Sequence, residues 1–225
     1  SDFADLLPQE HEYVKLHNEI RDTFGGANIV VMSVEVEEGT IFNNDTLNRI
    51  HRITQALDEV TNINHNLLSS LTHRNTRKIW ITPDGTIRSK TYYDPQRGDY
   101  TEEELANIQR DVLSSNNVYG LLVSPDLKSA LIKGTLNEGQ LRYRVVFDEL
   151  QAIREAESVP GVTIHATGNP VLVGWVDSYS GQILQIFMYT ILIVLVILIV
   201  YTRKFLGVLL PLLGMALATI WGVGF

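Results

Sequence analysis

Apolar and polar positions follow two different rules along this chain of 225 residues. Before about Gly181 the apolar residues recur at regular intervals with polar neighbours between them, and after it they run on almost unbroken. In the first regime, the stretch from Ala27 to Gly39 alternates cleanly. Val30, Met32, Val34 and Val36 fall on one side and Ser33 and Glu35 on the other, the period of two that marks a half-buried strand. Ahead of it a helix is predicted from Pro8 to about Phe24. Pro suits a first-turn position, Tyr13, Leu16, Ile20 and Phe24 form one stripe, and Gly25-Gly26 ends it. Behind the strand, Asn44-Asp45 can cap a helix that turns Leu47, Ile50, Ile53, Leu57 and Val60 inward.

The middle of the chain is less regular. Leu67, Leu68 and Leu71 can supply a further strand, and residues 78–93 read as a hairpin folded at Pro83-Asp84-Gly85. Thr101 followed three residues later by Glu104 is a capping box, opening a helix with Leu105, Ile108 and Val112 on its inner face. A second β-α-β run follows. It begins with a strand around Leu127–Leu136 with Ala130, Ile132 and Leu136 on one face. A helix from about Gly139 to Glu157 then buries Leu141, Val145, Leu150 and Ile153. It closes with a strand over Val162–Thr167, where Val162, Ile164 and Ala166 alternate with Thr163, His165 and Thr167. Two β-α-β halves around an inserted middle section predict an α+β fold of the ferredoxin-like kind, an antiparallel sheet with helices on one face.

In the second regime, nineteen residues from Ile183 to Tyr201 carry no charge, close to the roughly 20 residues a helix needs to cross the hydrocarbon core. Another uncharged run extends from Phe205 to Phe225, with Pro211 placed to kink it near its start. Two spans, about 183–201 and 205–225, are therefore predicted, joined by a turn at 202–204. The chain divides into residues 1–181 and a membrane hairpin, 182–225. Arg203 and Lys204 are the only charges beyond Gln182. Short loops rich in Lys and Arg stay in the cytoplasm, so these two residues predict a cytoplasmic turn and an extracytoplasmic domain 1–181. That places the protein as a multi-pass component of the bacterial inner (cytoplasmic) membrane, its large domain in the periplasm. No cleavable signal is visible at SDFADLLPQE, so a preceding membrane helix is expected upstream of Ser1 and further chain beyond Phe225.

Charge sharpens the division. Residues 1–181 hold every one of the 26 acidic residues against 16 Lys and Arg, an acidic surface that argues against nucleic acid as a partner. With no cysteine, disulfides and thiol chemistry are excluded. The six histidines, at 11, 17, 51, 65, 73 and 165, fall in no metal-ligand spacing. Glu35, Glu37 and Glu38, and Glu102 to Glu104, lack the ladder of a calcium loop, and solvated charge or helix-dipole complementarity explains them. No nucleophile elbow or phosphate loop occurs, so neither enzyme activity nor a cofactor nor a metal is expected. Within the first span Gln185, Tyr189 and Thr190 are polar but not ionisable near neutral pH, so no proton relay is assigned there. Gly214, Ala218 and Gly222 repeat small residues every four positions, a face on which another helix can approach closely.

Several of these stretches together resemble one superfamily: the helix ending FGG, the strand VVMSVEVEEG, the closing strand leading into TGNP (Thr167–Pro170), the TRKFLG turn and LLPLLGMALATIWGVGF. The chain is similar to resistance-nodulation-division (RND) transporters, nearest their MMPL-type and hopanoid or lipid exporter branch, over essentially its whole length. The resemblance implies a porter-type periplasmic domain followed by the second and third membrane helices of a larger protein. Such proteins have two related halves and use the proton gradient to move hydrophobic or lipid-like cargo outward. The implied partners are the bilayer, the remaining helices, the cargo, and a periplasmic protein or second copy. The coupling carboxylates of the family sit on a later helix, so none is carried over to this sequence. The alternative is a non-transporting membrane module, sterol-sensing-like or an assembly factor, whose outer domain binds a lipid or a partner protein.

Overall fold

The computed structural model describes residues 8–16, 19, 28–137, 142–203 and 205–223. It is an α+β structure in two compact units, Ser1–Asp177 and Ser178–Phe225.

The first unit is organised by β1 (Ile29–Val36), the central strand of a three-stranded antiparallel sheet. On one side it pairs with β4 (Ser129–Thr135), Met32 opposite Ile132, and on the other with β5 (Val162–Gly168), Met32 opposite Ala166. The alternation read from the sequence decides which face is covered. Val30, Met32 and Val34 are fully buried, as are Ala130 and Ile132 opposite them. Two helices cover that face, α1 (Asn44–Asp58) against β4 and α3 (Tyr143–Glu157) against β5. Glu35, Thr163, His165 and Thr167 lie on the open face, where His165 Nε2 stands 3.4 Å from Glu35 Oε2.

Helix α1 turns Leu47, Ile50, Ile53, Leu57 and the following Val60 into the core, as its spacing predicts. Its cap is one residue earlier than expected. Asn43, extended at φ −135, accepts the Thr46 N–H at 2.8 Å. Asn44 instead ties α1 to the middle section, its Nδ2 donating to Tyr100 O and its Oδ1 accepting from Tyr100 N, both at 2.9 Å. The inward stripe of α3 is also shifted. Val146, Phe147 and Leu150 are buried while Val145 and Ile153 are half-buried, because the helix is rolled about one residue so that Phe147 packs inward. Leu141 and Gly139 lie outside the described residues. At the C-terminal end of α3, Glu157 accepts from Arg52 twice, at 2.7 Å each, and from Arg49 at 3.1 Å, clamping α3 to α1.

The strand expected at Leu67–Leu71 is not continuous. Residues His65–Leu67 form a 3-10 turn, and only isolated bridges, Ile63 with Leu136 and Ser69 with Lys133, reach the outer edge of β4. Leu68 and Leu71 are nonetheless buried, so core packing survives without a full ladder. The hairpin is as read: β2 (Arg77–Ile81) pairs with β3 (Ile87–Thr91), and Gly85 takes φ +83 at the turn. In α2 (Glu102–Leu113) both halves of the capping box form between Thr101 and Glu104. Of the first predicted helix, residues 12–16 are helical, with Tyr13 and Leu16 exposed rather than packed. Ile20, Phe24 and Gly25-Gly26 lie outside the described residues.

Strand β5 runs into α4 (Asn169–Ser178) through Gly168, whose φ of +126 brings it against the backbone of β1. A Cβ there would overlap Ile29 O and sit 3.2 Å from Val30 Cα. That is the physical requirement behind the glycine of TGNP. The next residue, Asn169, donates to Asn28 Oδ1 at 3.2 Å. Gly174 is similarly constrained, its missing Cβ lying 3.1 Å from Phe147 Cγ.

The second unit contains α5 (Ser180–Thr202) and α6 (Phe205–Val223). One helical stretch, Asn169–Thr202, is long and apolar enough to cross a membrane, and a shorter apolar helix covers Gly207–Gly222. Two full spans were expected; among the described residues one meets the length.

Candidate functional site

Two clefts open beside the inserted section of the first unit. The one nearer α1 has a volume of ≈ 350 Å³. Helical spacing of four and three puts His51, Gln55 and Asp58 along one edge of α1, and all three line it. Opposite them come Tyr93, Asp94 and Gln96 from the segment after β3, with His73 and Arg74 from the loop before β2. Each side is anchored. Tyr93 OH donates to Asn48 Oδ1 at 2.6 Å, and its ring lies 5.1 Å from that of His51. Asp94 N–H donates to Tyr100 OH at 2.7 Å, and Arg97 stands 5.3 Å over the Tyr100 ring. Behind the cleft the buried hydroxyls of Thr54, Ser70 and Thr72 meet, Thr54 2.8 Å from Ser70.

The wall of this cleft carries two carboxylates, Asp58 and Asp94, against one cation, Arg74. Burial pushes the imidazoles of His51 and His73 below their ordinary range, and for His73 the nearby Arg74 adds to the effect while Asp58 opposes it. Both rings are therefore uncharged at neutral pH. Nδ1 of each is buried with no hydrogen-bond partner, and His73 as a residue is only 6% exposed. Asp58 is engaged by His65 Nδ1 at 2.7 Å.

The second cleft, ≈ 390 Å³, lies between β3 and α2 and is lined by Lys90, Tyr92, Arg97, Glu104 and Asp111 among others. Its charges are largely paired: Arg97 with Glu104 and Lys78 with Asp111. Backbone bonding to Thr101 is the main influence holding the Glu104 carboxyl below the usual carboxylate range. Among the described residues no group of three or more His, Asp or Glu side chains converges as a metal site would require.

In the second unit, Arg203 ends α5 in a left-handed conformation, φ 48, its N–H donating to Ile199 O at 3.0 Å. Lys204 lies outside the described residues. The close contact of this turn is at Gly207, where a Cβ would collide with the Thr202 side chain, 3.0 Å from its Cβ. Thr202 is itself fixed by donating to Leu198 O.

A 34-residue helical stretch, Asn169–Thr202, apolar enough to cross a membrane and charge-free from Ser178 to Thr202, is the layout of a membrane protein with an extramembrane domain, and the sequence profile of the MMPL family matches residues 5–225. The chain belongs to the MMPL family. It is also similar to a protein of Methanocaldococcus jannaschii whose name describes it as a membrane protein, 25% identical over 224 residues. That similarity covers 99% of this chain and 55% of the relative, so the chain spans about half the length of the curated relative it matches.

In this MMPL chain the small-residue face does not coincide with the tight helix contact. A Cβ at Gly214 or Gly222 would meet nothing within 4 Å, and Ala218 is exposed. Gly207 is the glycine that α6 needs beside α5. Its position three residues past the Arg203–Lys204 pair was the available signal. The His51–His73 pairing had none: the two are 22 positions apart in sequence, and only the packing of the insertion on α1 brings them to one cleft.

Proposed function

We propose that this chain is part of a proton-driven RND-type transporter that moves hydrophobic or lipid-like molecules out across the cytoplasmic membrane. The observation that carries the reading is the MMPL match over residues 5–225, spanning both the α+β unit and the apolar helices. On this reading the first unit is a ferredoxin-like porter domain on the periplasmic side. Its support is the strand order β4-β1-β5 with helices on one face, and the bridges from Ile63 and Ser69 standing in for a fourth strand at the edge of β4. Residues 183–201 and 205–225 then form a membrane hairpin turned at 202–204. Arg203 and Lys204 hold that turn in the cytoplasm by the bias of basic loops. Gly214, Ala218 and Gly222, facing open space within this chain, are left for helices elsewhere in the protein. The chain has no catalytic role. It provides part of the cargo path, while proton coupling belongs to helices it does not contain.

The test uses the full-length parent protein in liposomes with a fluorescent lipid substrate. Transport that starts on imposing a pH gradient and stops on collapsing it supports the exporter. Lipid binding without gradient-driven movement would replace it with a non-transporting, lipid-binding or assembly module. These 225 residues hold no cysteine, so topology is testable in parallel once any cysteine elsewhere in the parent is replaced. A single cysteine at exposed Ser89 should react with a membrane-impermeant maleimide in intact spheroplasts, and one at Thr202 only after lysis. The reverse pattern would overturn the orientation.

A further inference from the structure

We infer that the cleft between α1 and residues 91–96 is a binding site for a neutral polyhydroxylated group, a sugar or polyol, recognised by His51 and His73. Buried polar groups in folded proteins are almost always partnered, yet Nδ1 of both rings is buried and unpaired. A buried N–H without an acceptor is the rarer and costlier of the two possible orphans. Each ring is therefore held with its proton on Nε2, and both line the same cleft. Two uncharged N–H donors thus stand beside the side-chain amides of Gln55 and Gln96 and the acceptor oxygens of Asp94. Such a mixture of donors and acceptors suits hydroxyl groups, each of which both gives and takes a hydrogen bond.

The lining also disfavours other chemistries. A phosphate would meet Asp58 and Asp94 with Arg74 as the one cation on the wall. A metal lacks three converging ligands among the described residues, and an apolar ligand would strand the histidine and glutamine donors. The ring of Tyr93, held against His51, gives a ligand's C–H face an apolar surface. At ≈ 350 Å³ the cleft is at the small end of the range for ligand sites, about 300–1,000 Å³. None of this depends on the transport reading, and the test below measures binding alone.

The experiment places the full chain, labelled at histidine Cε1, in phosphatidylcholine nanodiscs and follows the histidine resonances by NMR. One arm adds methyl α-glucoside; the other replaces part of the lipid with glucosyl-diacylglycerol. The expected result is that the His51 and His73 signals move together, saturating with a Kd on the order of 1 mM, while that of exposed His165 stays fixed. Movement in both arms assigns a free sugar, and movement with the glycolipid alone assigns a lipid headgroup. The double variant Gln55→Ala/Gln96→Ala, both at exposed positions, should leave the starting spectrum intact and weaken binding about tenfold, equivalent to 1.4 kcal/mol. Unchanged His51 and His73 signals in both arms overturn the proposal. So does a response to inorganic phosphate in place of the glucoside, or unaltered binding by the double variant.

Discussion

Replacing Gly168 with alanine should destabilise the first unit more than a glycine-to-alanine change at an exposed turn, and two separate terms predict by how much. The first is conformational: φ at this residue is +126, a region that costs an L-residue about 1–3 kcal/mol. The second is steric. The new methyl would overlap Ile29 O, with Ile29 C at 3.0 Å and Val30 Cα at 3.2 Å. These are backbone atoms of the central strand, so they cannot rotate away as a side chain would. Forcing a methyl into a packed site costs about 1–3 kcal/mol, giving a total of roughly 4 kcal/mol. For a chain of this size that lowers Tm by about 8–16 °C. Gly39 separates the terms, since its φ is +75 but a Cβ there meets nothing within 4 Å. Gly39→Ala should therefore cost only the backbone strain, about 1–2 kcal/mol. Thermal unfolding followed by circular dichroism, with hydrogen exchange of the peptide over Ile29–Val36, measures both variants. If Gly168→Ala melts no lower than Gly39→Ala, the close approach of β5 to β1 is not what demands glycine.

Three further outcomes follow from the local geometry. Asn43→Ala should cost about 1 kcal/mol by removing the cap on Thr46 N–H. Asn44→Ala should instead loosen the insertion at Tyr100, read as faster exchange of the Tyr100 amide with α1 protection kept, and the opposite assignment would restore the cap to Asn44. On acidification stability should fall in two steps. His51 and His73, whose folded pKa values lie below the unfolded 6.5, oppose folding once the unfolded rings begin to take up protons, so the first loss starts as pH drops through about 6.5. Glu104, depressed by its backbone bonding to Thr101, contributes stability present above the unfolded carboxylate value and lost as pH falls through its folded value. Urea midpoints from pH 8 to pH 3 test the order, and His51→Phe/His73→Phe should flatten the first step. Gly207→Ile should splay α5 from α6 by collision with Thr202, seen as faster hydrogen exchange at the end of α5 over Ile199–Thr202, whereas Gly214→Ile should leave that exchange unchanged.

How far the sequence alone reaches differs between the two units. Periodicity fixes which side of β1 is buried, because successive side chains on a strand must point to opposite faces. The same holds for α1, whose inward Leu47, Ile50, Ile53 and Leu57 follow from helical spacing, and for the uncharged run of α5, where the length of hydrocarbon to be crossed sets the signal. The Thr101–Glu104 box and the Pro83–Gly85 turn are legible because their chemistry is complete within four residues. What the sequence left open depends on contacts between distant segments. Asn43 rather than Asn44 caps α1 because Tyr100, 56 residues on, claims Asn44. The segment around Leu67–Leu71 looks strand-like but makes only isolated bridges, since backbone pairing needs a partner at the right register and hydrophobic pattern cannot supply one. Gly168 and Gly207 are demanded only where β1 and Thr202 press on them, while a Cβ at Gly214 or Gly222 would meet nothing within 4 Å among the described residues. His51 and His73 share a cleft only because the insertion folds back across α1, and a local pattern carries no record of a meeting between residues so far apart.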